Sequence, residues 1–312
     1  MQVAVKETLN EISGDFLEAS IGNTPLIRFR NVTRRLDPGV EVYAKAEHLN
    51  PSGSVKDRAA LAMILEGEKS GGLSRDKIIL DATSGNTGIS YAMIGAARGH
   101  RVAVVLPGNA STARKHILRS FGAEIIETDP LHGTDGAQKV ARELAEKNPD
   151  TYFYPDQYNN DANWRAHYST TGLEIWRQTN GRVTHFVAGL GTTGTFVGTT
   201  RRLREFNPML YAVSAQPESP LHGLEGLKHL PTATVPGIYD AELANENLTV
   251  TTEEAQAMTR QIAREEGLFV GPSSGANILA SLKVAGRLDP GAVVVTVLCD
   301  GGGKYLNEGF LV

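Results

Sequence analysis

The sequence predicts an α/β protein built on parallel sheet, and three observations carry that expectation. Short β-branched runs alternate with amphipathic helical stretches, the pattern of strands joined by right-handed helical crossovers. Several runs are apolar at consecutive positions, as in Val293-Val294-Val295, which fits strands covered on both faces. Four glycine-rich loops each follow a candidate strand, where ligands bind in open α/β sheets.

In chain order, the first strand is expected at Val40–Lys45, followed by a helix at Asp57–Lys69. Strand Lys77–Leu80 leads to helix Gly88–Arg98, and strand Arg101–Leu106 to helix Ser111–Phe121. Strand Glu124–Thr128 precedes helix Gly133–Glu146; strand Tyr152–Tyr154 precedes one long helix, Ala162–Gln178. Strand Thr184–Ala188 feeds helix Gly194–Phe206, and strand Leu210–Ala215 follows. Helices Thr252–Glu266 and Ser274–Arg287 come before the last strand, Ala292–Leu298. The stretch Pro217–Tyr239 is long, irregular and rich in Pro, Gly and Leu, as functional loops often are. At roughly 150 residues per domain, 312 residues make about two domains, with a boundary near residue 160.

Composition removes several function classes. Thirty-one basic against 35 acidic side chains give a net charge of -4, so no basic excess recommends nucleic acid or an anionic membrane. Cys299 is the single cysteine, which excludes an intrachain disulfide and fits a reducing, cytoplasmic setting. Cysteine-based metal sites are excluded, and the scattered histidines form no H-E-x-x-H pair, so no metal is expected. The N-terminal stretch carries acids and no long apolar core, unlike a signal peptide, and no apolar run approaches about 18 residues.

The glycine-rich loops are Thr83-Ser84-Gly85-Asn86-Thr87-Gly88, Gly189–Thr195, Gly271–Gly275 and Asp300–Lys304. A loop at a helix start presents free backbone N–H groups to anions, so four of them favour a polar, anion-bearing small ligand over ordinary capped turns. Gly189-x-Gly191-x-x-Gly194 fits the dinucleotide fingerprint, but the next strand ends in Ser214-Ala215-Gln216 without the ribose-binding acid. Thr192, Thr193 and Thr195 suit a compact phosphate monoester better. Gly271-Pro272-Ser273-Ser274-Gly275 fits a nucleophile elbow, but the last histidine, His229, lies upstream, so the required order fails. Ser273 and Ser274 are left as helix N-caps or as hydroxyl donors to a ligand.

Lys56 follows a Pro/Ser/Gly turn and opens an apolar helix, a poor place for a cation. The helix dipole and partial burial would lower its pKa, and such a lysine forms Schiff bases and serves as a general base.

With that lysine the chain resembles the fold-type-II pyridoxal-phosphate enzymes, in the cysteine synthase (O-acetylserine sulfhydrylase) and cystathionine β-synthase branch. The motifs are Ile21-Gly22-Asn23-Thr24-Pro25-Leu26, Pro51-Ser52-Gly53-Ser54-Val55-Lys56-Asp57-Arg58, Thr83–Gly88, Gly191–Thr195, Ser273–Gly275 and Asp300–Tyr305, in the family's order over nearly the whole chain. Val55 and Asp57 resemble the sulfhydrylase branch, and Cys299-Asp300 resembles the B-type cysteine synthases.

The resemblance implies two open twisted mostly parallel sheets flanked by helices, tryptophan synthase β-like, with pyridoxal 5'-phosphate in the interdomain cleft. Residues 46–160 would form a smaller mobile domain; 1–45 and 161–312 would form the larger one. Lys56 would hold the cofactor covalently and act as catalytic base. Asn86 would bond the ring hydroxyl, and Gly191, Thr192, Thr193, Gly194 and Thr195 would cradle the phosphate. Ser273, Cys299 and Asp300 would complete the cofactor contacts. Cys299 or Asp300 would face the ring nitrogen, where the usual serine position falls on Gly301; plain core filling is the alternative for Cys299. Thr83, Ser84, Gly85, Thr87 and Gln157 would bind the substrate carboxylate, with a surface amide as the alternative for Gln157. Lys228 would admit an anionic co-substrate or stay a solvated loop charge.

The implied reaction is β-replacement, making L-cysteine from O-acetyl-L-serine, or a related activated serine, and sulfide or thiosulfate. The alternatives are a cystathionine β-synthase using serine and homocysteine, and a silent binding or regulatory protein. A homodimer is implied, with Met1–Leu17 as an amphipathic extension that packs on a neighbour.

Overall fold

The computed structural model describes residues 16–83 and 85–311. Along them run β1 (Leu26–Arg28), β2 (Glu41–Lys45), α1 (Lys56–Ser70), β3 (Ile78–Ala82), α2 (Asn86–Arg98), β4 (Arg101–Pro107) and α3 (Thr112–Ser120). Then come β5 (Glu124–Thr128), α4 (Gly133–Lys147), β6 (Tyr152–Phe153), α5 (Asp161–Ser169), α6 (Thr171–Gln178), β7 (His185–Gly189) and α7 (Gly194–Phe206). The chain continues with β8 (Tyr211–Pro217), β9 (Glu246–Val250), α8 (Thr252–Glu266), α9 (Pro272–Ala285) and β10 (Val293–Val297).

The strands form two sheets. One has six strands in the order β1-β2-β10-β7-β8-β9, and the other has four in the order β5-β4-β3-β6. Every neighbouring pair is parallel except β1 with β2. The consecutive apolar runs have the physical meaning read from them. In β10, Val294 points into one core while Val293, Val295 and Val297 point into the core on the opposite face. In β4, Val102, Val104 and Leu106 face one core, and Ala103 and Val105 face another. Side chains alternate across a strand, so a run apolar at both parities is buried twice.

The four-stranded sheet lies between residues 78 and 153, inside the 46–160 span. Helix α1 packs on α2 and on α5. Its N-terminus is tied to the larger sheet by a buried ion cluster: Arg58 pairs with Glu47 and Glu174, both at 2.7 Å, and Lys45 pairs with Glu174 at 2.6 Å.

Three sequence expectations need correction. The helix expected over Ala162–Gln178 is two helices broken at Thr170, whose φ/ψ of −122°/−74° leaves the helical region. The Thr170 hydroxyl donates back to the Ala166 carbonyl at 2.5 Å, competing with the helical ladder. Strands β1 and β9 were missed. β1 has three residues, and β9 is a half-exposed edge strand carrying Glu246, Asn247 and Thr249, so neither is an apolar run. Neither Ser273 nor Ser274 caps a helix: α9 starts at Pro272 with Gly271 as its cap. Residues 1–15 of the Met1–Leu17 extension lie outside the described residues. Among the described residues, no helix is long and apolar enough to cross a membrane.

Candidate active site

Lys56 is the first residue of α1, and it lines both parts of a cleft between the two sheets. The turn before it is sewn to the chain after β10. Val55 N–H donates to the Cys299 carbonyl at 2.8 Å, and Gly301 N–H donates to that of Gly53 at 3.3 Å. Gly53 has φ +78°, a left-handed conformation that glycine adopts without strain. The Asp57 carboxylate fixes the turn from below, accepting from Ser52 N–H at 2.8 Å, from Ser90 Oγ at 2.6 Å and from Ser52 Oγ. Burial pulls the Lys56 pKa down, against the opposing pull of Cys299 and Asp300. An amine with that bias is more readily neutral, as a nucleophile or base requires.

On the larger-sheet side, the loop from β7 to α7 brings Gly191, Thr192, Thr193, Gly194 and Thr195 together beside Lys56. Two of its glycines have no room for a side chain. A Cβ on Gly191 would stand 2.0 Å from the Gly226 carbonyl oxygen, and one on Gly194 would stand 2.0 Å from Asn163 Oδ1. Thr193 sits at φ +72°, strained for a β-branched residue, and its buried hydroxyl has no partner among the described residues. Helix α5 backs the loop: Asn163 Nδ2 donates to Thr192 Oγ1 at 3.1 Å, and His167 Nε2 is hydrogen-bonded to Thr195 Oγ1 at 3.3 Å. Tight glycines, an orphaned hydroxyl and a helix N-terminus make an anion cradle. These residues fit a compact phosphate next to an amine.

On the smaller-sheet side, Thr83, Thr87 and Gln157 line the wider part of the cleft, about 1010 Å³, together with Lys56. Thr87 Oγ1 donates to Gln157 Oε1 at 2.8 Å, and Gln157 Nε2 donates to the Ala82 carbonyl at 2.6 Å. Gln157 is therefore a buried amide in a network, not a surface side chain. Thr83 Oγ1 accepts from the N–H groups of Gly85 and Gly88 at 3.0 and 3.1 Å, shaping the start of α2. That helix starts at Asn86, two residues before the expected Gly88, so Asn86 and Thr87 lie in its first turn. Gly85 packs against the Arg114 side chain, and Ser84 lies outside the described residues.

The remaining candidates divide. Ser273, Asn86 and Cys299 line the narrow part of the cleft with Lys56. Burial pushes the Cys299 thiol up to about 11, so it is a neutral partner for anything there. Asp300 turns elsewhere: its Oδ2 accepts from Asn86 Nδ2 at 2.8 Å and from the Tyr305 hydroxyl at 2.7 Å. Lys228 is not a solvated loop charge. It is buried, 2.7 Å from Asp135 and 4.9 Å from the centre of the Tyr158 ring.

Sequence reading missed the supports behind the cleft. Asn163 and His167 are one helical turn apart on α5 and face the same loop; that i, i+4 polar pair was the available signal. Arg114 and Glu225, an ion pair from α3 to the 217–239 stretch, carried no local signal at all.

The Pyridoxal-phosphate dependent enzyme family matches residues 17–300 of this chain. The chain is 49% identical over 291 residues to the cysteine synthase of Aquifex aeolicus, covering 92% of this chain and 89% of that protein. It is 44% identical over 293 residues to cysteine synthase B of Salmonella typhimurium, covering 94% and 95%. The crystal structure of cysteine synthase from Entamoeba histolytica aligns with a TM-score of 0.90 at 33% identity, over 99% of this chain and 94% of that one. The O-acetylserine dependent cystathionine beta-synthase of Helicobacter pylori aligns with a TM-score of 0.91 at 35% identity, over 97% and 100%. A match that reaches from the first described turns to Asp300, with a lysine beside a phosphate-sized cradle inside it, leaves one assignment: the chain belongs to the pyridoxal-phosphate dependent enzymes.

Proposed function

We propose that the protein is a cysteine synthase, a transferase that makes L-cysteine and acetate from O-acetyl-L-serine and sulfide; thiosulfate as the nucleophile would give S-sulfocysteine and acetate instead. The observation that carries the reading is the position of Lys56, between an anion cradle on one sheet and a hydroxyl-and-amide pocket on the other.

Lys56 would hold pyridoxal phosphate, Thr192, Thr193 and Thr195 with the glycines would hold its phosphate, and Asn86 would meet its ring oxygen. Bound there, the cofactor supplies an electron sink for charge developed at the substrate α-carbon. Thr83, Ser84, Thr87 and Gln157 take the substrate α-carboxylate, which places the Cα–H beside Lys56 Nζ. Lys56, its amine freed when the substrate's amino group replaces it, would remove that proton as acetate leaves Cβ, and would return it to Cα once sulfur has bonded to Cβ. Ser273 and Cys299 line the narrow cleft with Lys56, and a neutral thiol there would favour an uncharged ring nitrogen. Carboxylate binding draws residues 46–160 toward the larger sheet and expels water. Lys228, which lines the wide cleft, attracts anionic substrates when it leaves Asp135. A cytoplasmic homodimer completes the reading, and size-exclusion chromatography tests the dimer.

The deciding experiment is borohydride reduction of the reconstituted protein followed by peptide mapping. The adduct is expected on Lys56, and Lys56→Ala is expected to lose both adduct and turnover. An adduct on another lysine overturns the assignment. Steady-state rates with sulfide, thiosulfate and homocysteine then rank the acceptors; homocysteine ahead of sulfide would point to cystathionine synthesis.

A further inference from the structure

Asn86 is held by two charged groups that lie outside the lining of the narrow cleft. Its Nδ2 donates to Asp300 Oδ2 at 2.8 Å, and its Oδ1 accepts from Lys304 Nζ at 2.7 Å. An amide's nitrogen and oxygen look alike by shape, but a carboxylate only accepts and an ammonium only donates. The two charges therefore force one orientation of the Asn86 amide. Each clamp residue is itself anchored. The Tyr305 hydroxyl donates to the same Asp300 oxygen at 2.7 Å, and Lys304 Nζ also donates to the Gly53 carbonyl at 3.3 Å, in the turn that carries Lys56. Asn86, Ser273 and Cys299 line the cleft, whereas Asp300 and Lys304 stand behind Asn86.

We propose that Asp300 and Lys304 are positioning residues that lock the Asn86 amide with a nitrogen-bound hydrogen left for the cofactor's ring oxygen. The Asp300 carboxylate thus serves the hydroxyl edge of the ring through Asn86, and the ring nitrogen is left to Ser273 and Cys299. An amide free to flip could present its carbonyl to that oxygen, and where the oxygen is ionised and only accepts, acceptor facing acceptor is repulsive. Two fixed charges remove that wrong state before the cofactor arrives, which is preorganisation of the site. The clamp also spans the cleft, because Asn86 starts α2 beside the smaller sheet while Asp300 and Lys304 follow β10 of the larger. Orientation of the cofactor contact is thereby linked to how the two sheets sit together.

The inference rests on Lys56 and Asn86 being cofactor contacts, and a double-mutant cycle separates it from that reading. The apoproteins of wild type, Lys304→Met, Asn86→Ala and the double variant are titrated with pyridoxal phosphate. Dissociation constants come from fluorescence, and the visible absorption maximum is recorded for each loaded protein. Lys304→Met is expected to weaken binding about tenfold and shift the absorption maximum. In the Asn86→Ala background it is expected to change neither beyond about twofold, because no amide remains to orient. Lys304→Arg, which keeps a cationic donor, is expected to restore affinity; Asp300→Asn is expected to follow the pattern of Lys304→Met. Equal, additive losses in both backgrounds overturn the clamp. An Asn86→Ala variant with wild-type affinity and absorption overturns the underlying site reading instead.

Discussion

Two buried titratable groups stand behind the two walls of the cleft, and they are mirror images. His167 supports the phosphate loop through Thr195 and is also hydrogen-bonded to Thr171 at 2.9 Å. Asp81 supports the carboxylate side: it accepts from Gln157 N–H at 3.2 Å, the Tyr91 hydroxyl at 2.9 Å and Ala82 N–H at 2.8 Å. Burial, then the nearby Arg58 charge, pushes His167 down to about 3. Burial pushes Asp81 up to about 7 despite its three donors. Between those values both groups are uncharged. The comparison teaches that both walls are braced by neutral hydrogen bonding, so neither brace adds a charge of its own to the field at Lys56 between those pH values.

The walls differ in how much they tolerate. On the phosphate side the glycine contacts are with backbone and a buried amide, which cannot give way. Gly191→Ala should have the largest effect, because its Cβ would meet the Gly226 carbonyl oxygen at 2.0 Å. Loss of about a hundredfold in cofactor affinity, roughly the upper end of an overpacking cost of 1–3 kcal/mol, is the expected outcome of equilibrium dialysis. Affinity within a factor of two of wild type would show that the cradle is pliable, and that the two walls are alike.

Asn163 is where the walls meet. Its Nδ2 donates to the Gln157 carbonyl at 2.6 Å as well as to Thr192 Oγ1. Asn163→Ala strands both acceptors in a buried place, at a cost of about 1–3 kcal/mol. It should weaken binding of pyridoxal phosphate and of an amino-acid carboxylate together. A variant that loses only one would mean that the walls are built independently.

Much of this was legible in the chain. The parallel α/β class followed from runs apolar at both parities, and three of the four glycine-rich loops line the cleft while Asp300–Lys304 stands behind Asn86, because a loop between a buried strand and a helix start needs glycine, hydroxyls and caps wherever it occurs. Thr83, Thr87, Gln157, Asn86 and the Gly191–Thr195 loop come together around Lys56. What stayed hidden depends on distance in sequence. Arg114 meets Glu225 across 111 positions, Asn86 meets Lys304 across 218, and no local pattern encodes either meeting. The two missed strands failed for other reasons: β1 is only three residues long, and β9 packs Leu248 and Val250 on one face and exposes Asn247 and Thr249 on the other, so its apolar signal is halved.

The neutral braces make a pH experiment sharp. An unfolded histidine takes a proton near 6.5, whereas folded His167 resists down to about 3. Between those values the unfolded chain binds the extra proton, so stability falls as pH drops, by about 1.4 kcal/mol per unit. Asp81 has the opposite sign. Its ordinary value is 3.8 and its folded value about 7, so the folded chain binds the extra proton and stability falls as pH rises through that window. The slopes oppose each other between about pH 4 and 6.5. His167→Asn should leave a protein that loses stability on going from pH 4 to 7, and Asp81→Asn one that loses it on acidification. Urea midpoints across that range measure both, and two variants with the same slope would refute the mirrored charge states.

The smallest effect is expected where the cleft is crossed at its rim. Lys228 pairs with Asp135 at 2.7 Å, and the Asp135 carboxylate also accepts from Thr234 N–H at 3.1 Å. Burial opposes ionisation of Asp135, but the Lys228 and Thr234 hydrogen bonds outweigh it and hold the carboxyl below its ordinary value. The Asp135 side chain is 41% exposed, so solvent screens most of the attraction. A cycle of Lys228→Met and Asp135→Asn should return a coupling of about 0.2–1 kcal/mol. At 1 M salt, where the screening length is about 3 Å, the coupling should nearly vanish. The braces behind the walls, being neutral and buried, should ignore the same salt. Insensitivity of the rim pair would mean that it belongs with the rigid parts of the cleft, and that the wall built on α4 is held shut rather than poised to move.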